Sequence, residues 1–191
     1  KELERLTRAF GRAIADIIQQ EKTPFMIISG LSAGAINGTW LASRCENFNR
    51  ATQSMWEAWA TITTDKIFNT DAVSLMSIAL RWIKDRGLGG MQKSSQINYL
   101  LDTSPLDKFI RSHINFDNLN KHLETNALYG VSITAADYRT GSSTAFYYGS
   151  EQIQDWKKFN RISVRTKLKP EFVLASAAIP IFFPPVKIDD S

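Results

Sequence analysis

The residues best suited to chemistry are Gly30-Leu31-Ser32-Ala33-Gly34. This G-x-S-x-G segment follows the apolar run Phe25-Met26-Ile27-Ile28 and opens a predicted helix over 35–44. A strand, a tight turn and a helix, with serine at the turn, is the setting of a nucleophile elbow. Glycines at 30 and 34 are expected to keep side chains out of the strand and helix that crowd a strained serine. The hydroxyl would sit at a helix N-terminus, where unpaired N–H groups and the positive dipole end favour developing negative charge. Ser32 is therefore the candidate nucleophile, flanked by Gly30, Ala33 and Gly34. The competing reading is a structural turn in which Ser32 only caps the helix.

Other reactive side chains fit less well. A Ser-His-Asp hydrolase of the α/β class orders its residues serine, acid, histidine. The only histidines are His113 and His122, and none follows Asp137. His122 lies in a polar stretch and His113 ends a charged helix, so both are expected at the surface. Asp137 follows a predicted strand and is expected to cap a turn; it is the best internal partner for Ser32 if no other aspartate serves. Cys45 is the lone cysteine, which excludes an internal disulfide and leaves a small packing residue. No ligand cluster for a metal is visible. Gly87-Leu88-Gly89-Gly90 lacks the following Lys-Ser/Thr pair of a phosphate-binding loop.

The elements that would position Ser32 read as α/β. An amphipathic helix is predicted over 3–20, with Leu6, Phe10, Ile14, Ile17 and Ile18 on its apolar face. Residues 25–29 form a strand without alternation, which predicts helices over both faces. A helix over 51–60 carries Met55, Trp56 and Trp59 as a core stripe. Ser104-Pro105 starts a helix through Ile110, with Ser104 as its N-cap. Strands follow at 129–135 and 144–148, joined by turn chemistry at Thr140-Gly141. A short helix opens at Lys169-Pro170-Glu171 and ends near Ala178, since Ile179 precedes Pro180 and must be extended.

At 191 residues, with ordinary apolar and charged fractions, the chain reads as one domain over 1–191. A net charge of +4 suits anionic headgroups but is too scattered to argue for nucleic acid. No segment is long and apolar enough to cross a bilayer. The nearest, over 72–80 with Trp82 and Ile83 beyond it, reads as a core or capping helix. Its alternative is a lid at the lipid interface, with Trp82, Lys84 and Arg86 at the headgroups.

The motifs resemble those of patatin-like phospholipases. Gly30 to Asn37, G-L-S-A-G-A-I-N, resembles that family's G-T-S-A-G-A-I-N elbow. Ala175 to Pro185, A-S-A-A-I-P-I-F-F-P-P, resembles its A-S-A-A-I-P-x-x-F-P-P signature. Ser132 to Asp137 with Thr140-Gly141 resembles its strand and hairpin, and 11–29 its first helix and second strand. The region from about 47 to 126 matches poorly. Leu31 stands where the family has threonine. Residues 1–10 contain no glycine, although the family's glycine-rich oxyanion loop precedes the first helix. Asp189 and Asp190 are not followed by glycine, so neither takes the role of the family's Asp-Gly aspartate.

The resemblance implies a three-layer α/β/α fold with a mostly parallel central sheet, incomplete at both ends. It implies a lipid acyl hydrolase that cleaves phospholipid or other acyl-ester lipids through a Ser-Asp dyad. Ser32 would attack, and backbone N–H groups, including that of Ala33, would hold the oxyanion. The aspartate is expected beyond Ser191. Residues 1–191 alone are then expected to be close to inert. No cofactor and no metal is implied, and peripheral membrane contact and a cytoplasmic or membrane-surface location are the expectations. The alternatives are an inactive lipid-binding or scaffold domain of the same fold, and an esterase of small soluble esters.

Overall fold

The computed structural model describes residues 13–14, 16–17, 21–63, 102–137, 140–179 and 183–188. Ala13, Ile14, Asp16 and Ile17 are helical, as predicted; the rest of the 3–20 helix and the whole 72–90 stretch lie outside the described residues. Strand β1 (Ile27–Leu31) leads into helix α1 (Ala33–Ala42), followed by α2 (Phe48–Ala60). Then come α3 (Ser104–His113), α4 (Phe116–Glu124), β2 (Gly130–Ala136) and β3 (Ser143–Gly149). The chain continues through β4 (Lys157–Lys158), β5 (Arg161–Arg165) and α5 (Pro170–Ala177).

The α/β class read from the sequence holds. The strands form one five-stranded sheet in the order β1-β2-β3-β5-β4. β1 pairs with β2, and β3 with β5, in parallel. β2–β3 and β4–β5 are antiparallel, because short turns join them and a short turn reverses the chain. The sheet is thus mixed rather than mostly parallel among the described strands.

α1 lies against β1 and β2, α5 against β2, and α4 against β3. Ile28, Ile133 and Phe146 share the helix-facing side of the sheet through the pairing Ile28↔Val131 and Ile133↔Phe146. α1 is buried nearly all round, from Ala35 to Trp40 and again at Ala42. It is the central rod of the core, and Gly38 lets it approach so closely that a Cβ there would lie 2.9 Å from Ile28. The Phe146 and Phe172 rings stack at 4.2 Å, seating α5 on β3. Asn120 exchanges both amide hydrogen bonds with Leu168, at 2.9 Å each, and ties α4 to the segment before α5.

Three expectations are corrected. β1 alternates: Ile28 and Gly30 are buried while Ile27 and Leu31 are 64% and 62% exposed, so the described helices cover one face of this strand and not both. In α2, Met55 and Trp59 are buried, but Trp56 points outward from the stripe. Thr103, not Ser104, is the N-cap of α3; Ser104 instead bonds the Asp102 carboxylate through its N–H and hydroxyl.

Candidate active site

Ser32 sits between β1 and α1 with φ 54° and ψ −125°, a conformation that L-residues rarely adopt. Holding it there costs on the order of 1–3 kcal/mol, so the surrounding structure must over-determine it. Gly30 is part of that surrounding. A Cβ at this position would lie 2.5 Å from the Gly34 carbonyl oxygen and 2.6 Å from the Ala35 Cα. Only a glycine permits the strand to pass so close to the helix that follows it. Gly34 differs from the expectation: a Cβ there meets nothing within 4 Å, because this residue faces open space in the first turn of α1.

The Ser32 hydroxyl is not used as a helix cap. The Ser32 carbonyl accepts the N–H groups of Ala35 and Ile36, at 2.9 and 3.3 Å. The N–H groups of Ala33 and Gly34 belong to the first turn and have no intrahelical acceptor. They stand beside the hydroxyl at the positive end of the helix dipole, an arrangement suited to an anion.

Sequence reasoning assigned no role to Ser176, yet it holds the elbow. The Ser32 N–H donates to Ser176 Oγ at 2.8 Å, and Ser176 Oγ donates to the Thr134 carbonyl at 2.6 Å. One buried hydroxyl on α5 thus locks the elbow to β2. It also consumes the Ser32 N–H, so the donors left for an incoming anion come from Ala33 onwards. The signal was present: Ser176 is the polar residue of an otherwise apolar helix face with Phe172, Val173 and Ala177. Arg111 on α3 also reaches α5 at the surface, bridging Asp107 at 2.7 Å and Glu171 at 2.6 Å.

His122 is buried rather than at the surface, and His113 is half-buried. His122 is 5% exposed, its Nδ1 is 3.0 Å from the Ala42 carbonyl and its Nε2 is 2.6 Å from Glu46 Oε1. The His113 ring stacks on Trp40 at 5.2 Å and packs against Phe109 at 4.4 Å. Ala42 closes α1, so at 1.5 Å per residue His122 lies about 15 Å along the helix from Ser32. The polar sequence around His122 hid a helix whose buried side is Leu119, His122 and Leu123.

Asp137 shapes its own turn, as expected. Its carboxylate accepts the Thr140 N–H at 3.3 Å, and its backbone N–H donates to the Ser142 carbonyl at 2.8 Å. Cys45 is buried, and burial pushes its thiol up to about 11, with the neighbouring Glu46 adding to the rise. It is a packing residue and a poor nucleophile. Among the described residues, no group of three His, Cys, Asp or Glu side chains is placed to hold a metal ion.

A family model described as patatin-like phospholipase matches residues 10–191. No curated protein and no solved structure matches the chain.

Proposed function

The chain belongs to the patatin-like phospholipase family, a family of lipid acyl hydrolases, and we propose that Ser32 is its nucleophile. The observation that carries this is the Ser32 backbone at φ 54° with a hydroxyl that caps nothing. A strained serine whose side chain is left out of the local hydrogen bonding is costly to keep for architecture alone.

In this reading Ser32 Oγ attacks the carbonyl carbon of an acyl ester, and its proton passes to a carboxylate. By family resemblance that carboxylate is the aspartate of an Asp-Gly motif following Pro184-Pro185-Val186. The tetrahedral oxyanion takes the Ala33 N–H, together with N–H groups of a glycine-rich loop that precedes the first helix in the family. Collapse expels the alcohol, which takes up the proton, and leaves an acyl-Ser32 ester. Water then attacks that ester and releases the fatty acid. Residues 1–191 without the loop and the aspartate are expected to turn over esters poorly, since one lost oxyanion donor alone costs roughly 10²–10³ in rate.

The test is intact-mass detection of fluorophosphonate adduct on the full-length protein. Adduct on the wild type and none on Ser32→Ala is the expected result. A folded wild type that takes no adduct would sink the hydrolase reading and leave a lipid-binding domain of the same fold.

A further inference from the structure

The β4–β5 hairpin ends in a two-residue turn, Phe159-Asn160, between the paired Lys158 and Arg161. Phe159 is 99% exposed, and Trp156 at the start of the hairpin is 40% exposed. Lone exposed apolar residues are ordinary. This one stands at the tip of a projecting hairpin among Lys157, Lys158 and Arg161, and residues 156–161 contain no acid. The nearest acid in sequence, Asp155, is exposed but engaged at the base of the hairpin: Tyr147 and Ser163 donate their hydroxyls to its carboxylate at 2.9 and 3.4 Å.

The base of the hairpin is firmly held. Ser163 Oγ accepts the Trp156 N–H at 2.7 Å, and the Ser163 N–H donates to the Trp156 carbonyl at 2.9 Å. The Arg165 guanidinium donates to the carbonyls of Gly149, Ser150 and Ile153, and lies over the Tyr147 ring at 5.1 Å. The turn itself accepts the Ser143 N–H through the Asn160 carbonyl at 2.8 Å. A rigid stalk therefore presents an aromatic tip flanked by cations.

The sheet register says where that tip is. Leu31 pairs with Thr134, Thr134 with Ala145, and Ala145 with Ser163. Two residues further on, Ala136, Ser143 and Arg161 form the terminal row. The tip thus lies at the sheet end that carries Ser32. It is three strands from β1, about 14 Å at roughly 4.8 Å per strand.

We propose that the Trp156–Arg161 hairpin docks the protein on an anionic bilayer, with Phe159 and Trp156 entering the interface and Lys157, Lys158 and Arg161 meeting the headgroups. An apolar tip ringed by basic residues has the chemistry of that surface. The proposal rests on the reading of the chain as a hydrolase of acyl lipids: docking here turns the Ser32 end of the sheet towards its substrate.

The experiment measures partitioning of the full-length protein onto vesicles of phosphatidylcholine, with and without phosphatidylglycerol. It compares wild type, Phe159→Ser and Lys157→Gln/Lys158→Gln. All three substitutions are on exposed residues, and circular dichroism confirms that each variant is folded. Phe159→Ser is expected to weaken partitioning roughly tenfold. The double lysine variant is expected to lose roughly tenfold or more on anionic vesicles only. Fluorophosphonate labelling at Ser32 stays unchanged in both. Variants that partition like wild type overturn the proposal, as does a wild type that labels at Ser32 but ignores anionic vesicles. A change of oligomeric state with unchanged partitioning also overturns it and makes the hairpin a protein contact. Hairpin-dependent binding without any labelling leaves the docking proposal standing and removes the hydrolase reading instead.

Discussion

The two ends of α1 treat their reactive side chains in opposite ways. At the C-terminal end the histidines and the arginine are spent. His122 bridges Ala42 and Glu46, Arg44 donates to the His113 carbonyl at 2.6 Å, and the Arg44 guanidinium lies 4.8 Å over the Trp40 ring. At the N-terminal end the backbone is strained and the Ser32 hydroxyl caps nothing. The supporting hydrogen bonds go to its backbone through Ser176, not to its side chain. The lesson is that a residue's chemical type says less than what its neighbours take from it. Two histidines consumed by packing are architecture, and one serine whose scaffold is satisfied around it is the candidate for chemistry.

Substitutions at the two ends should separate accordingly. The largest effect is expected from Gly30→Ala, whose Cβ meets the backbone of Gly34 and Ala35 and cannot be relieved by a rotamer. It should cost about 3 kcal/mol in a urea melt and abolish labelling of Ser32. His122→Ala is expected to cost about 2 kcal/mol, because it leaves the buried Ala42 carbonyl without this partner and opens a cavity. The labelling rate of the folded fraction should not move. A large drop in that rate would break the contrast between the ends.

Ser176→Ala should cost about 1–2 kcal/mol, since it leaves the Ser32 N–H and the Thr134 carbonyl unpaired. Unlike His122→Ala it should slow labelling about tenfold, and Ser176→Thr should recover part of that if the hydroxyl is what matters. Equal labelling in Ser176→Ala and wild type would reduce this serine to packing. Cys45 should alkylate far more slowly in the native protein at pH 8 than in the unfolded chain, because its thiol is held near 11 when folded. The raised value means that whatever stability Cys45 lends is present below about 9 and lost as the pH climbs towards about 11. Smallest of all, Gly34→Ala should shift stability by less than about 1 kcal/mol, favourably if helix propensity dominates. A loss comparable to that of Gly30→Ala would show that both glycines are steric necessities after all.

The elbow was legible because its signal is local: an apolar strand, a glycine-bounded serine and a helix of small residues lie within about one turn of each other. β2, β3 and α5 were legible within a residue or so at each end for the same reason. What sequence reasoning missed depends on distant partners. α4 is mostly polar, and only its packing against α1 and β3 reveals that His122 is inside. Ile27 lies in a run whose apolar side chains predicted burial, but its face of the strand, shared with Leu31, is the one the described helices do not cover. β4 has two residues, too short for any periodicity. Ser176 stood inside a quoted signature, yet its role needs a contact across 144 positions.

That separation has a consequence for synthesis. The bond that fixes the Ser32 backbone spans 144 residues, so it cannot form until α5 has emerged and docked. At roughly 5–20 residues per second, the ribosome needs on the order of ten seconds or more to travel from one partner to the other. During that interval the nascent chain carries Ser32 without the lock that holds its turn. The lock on the candidate nucleophile is thus a late event in synthesis, complete only once α5 has docked on β2.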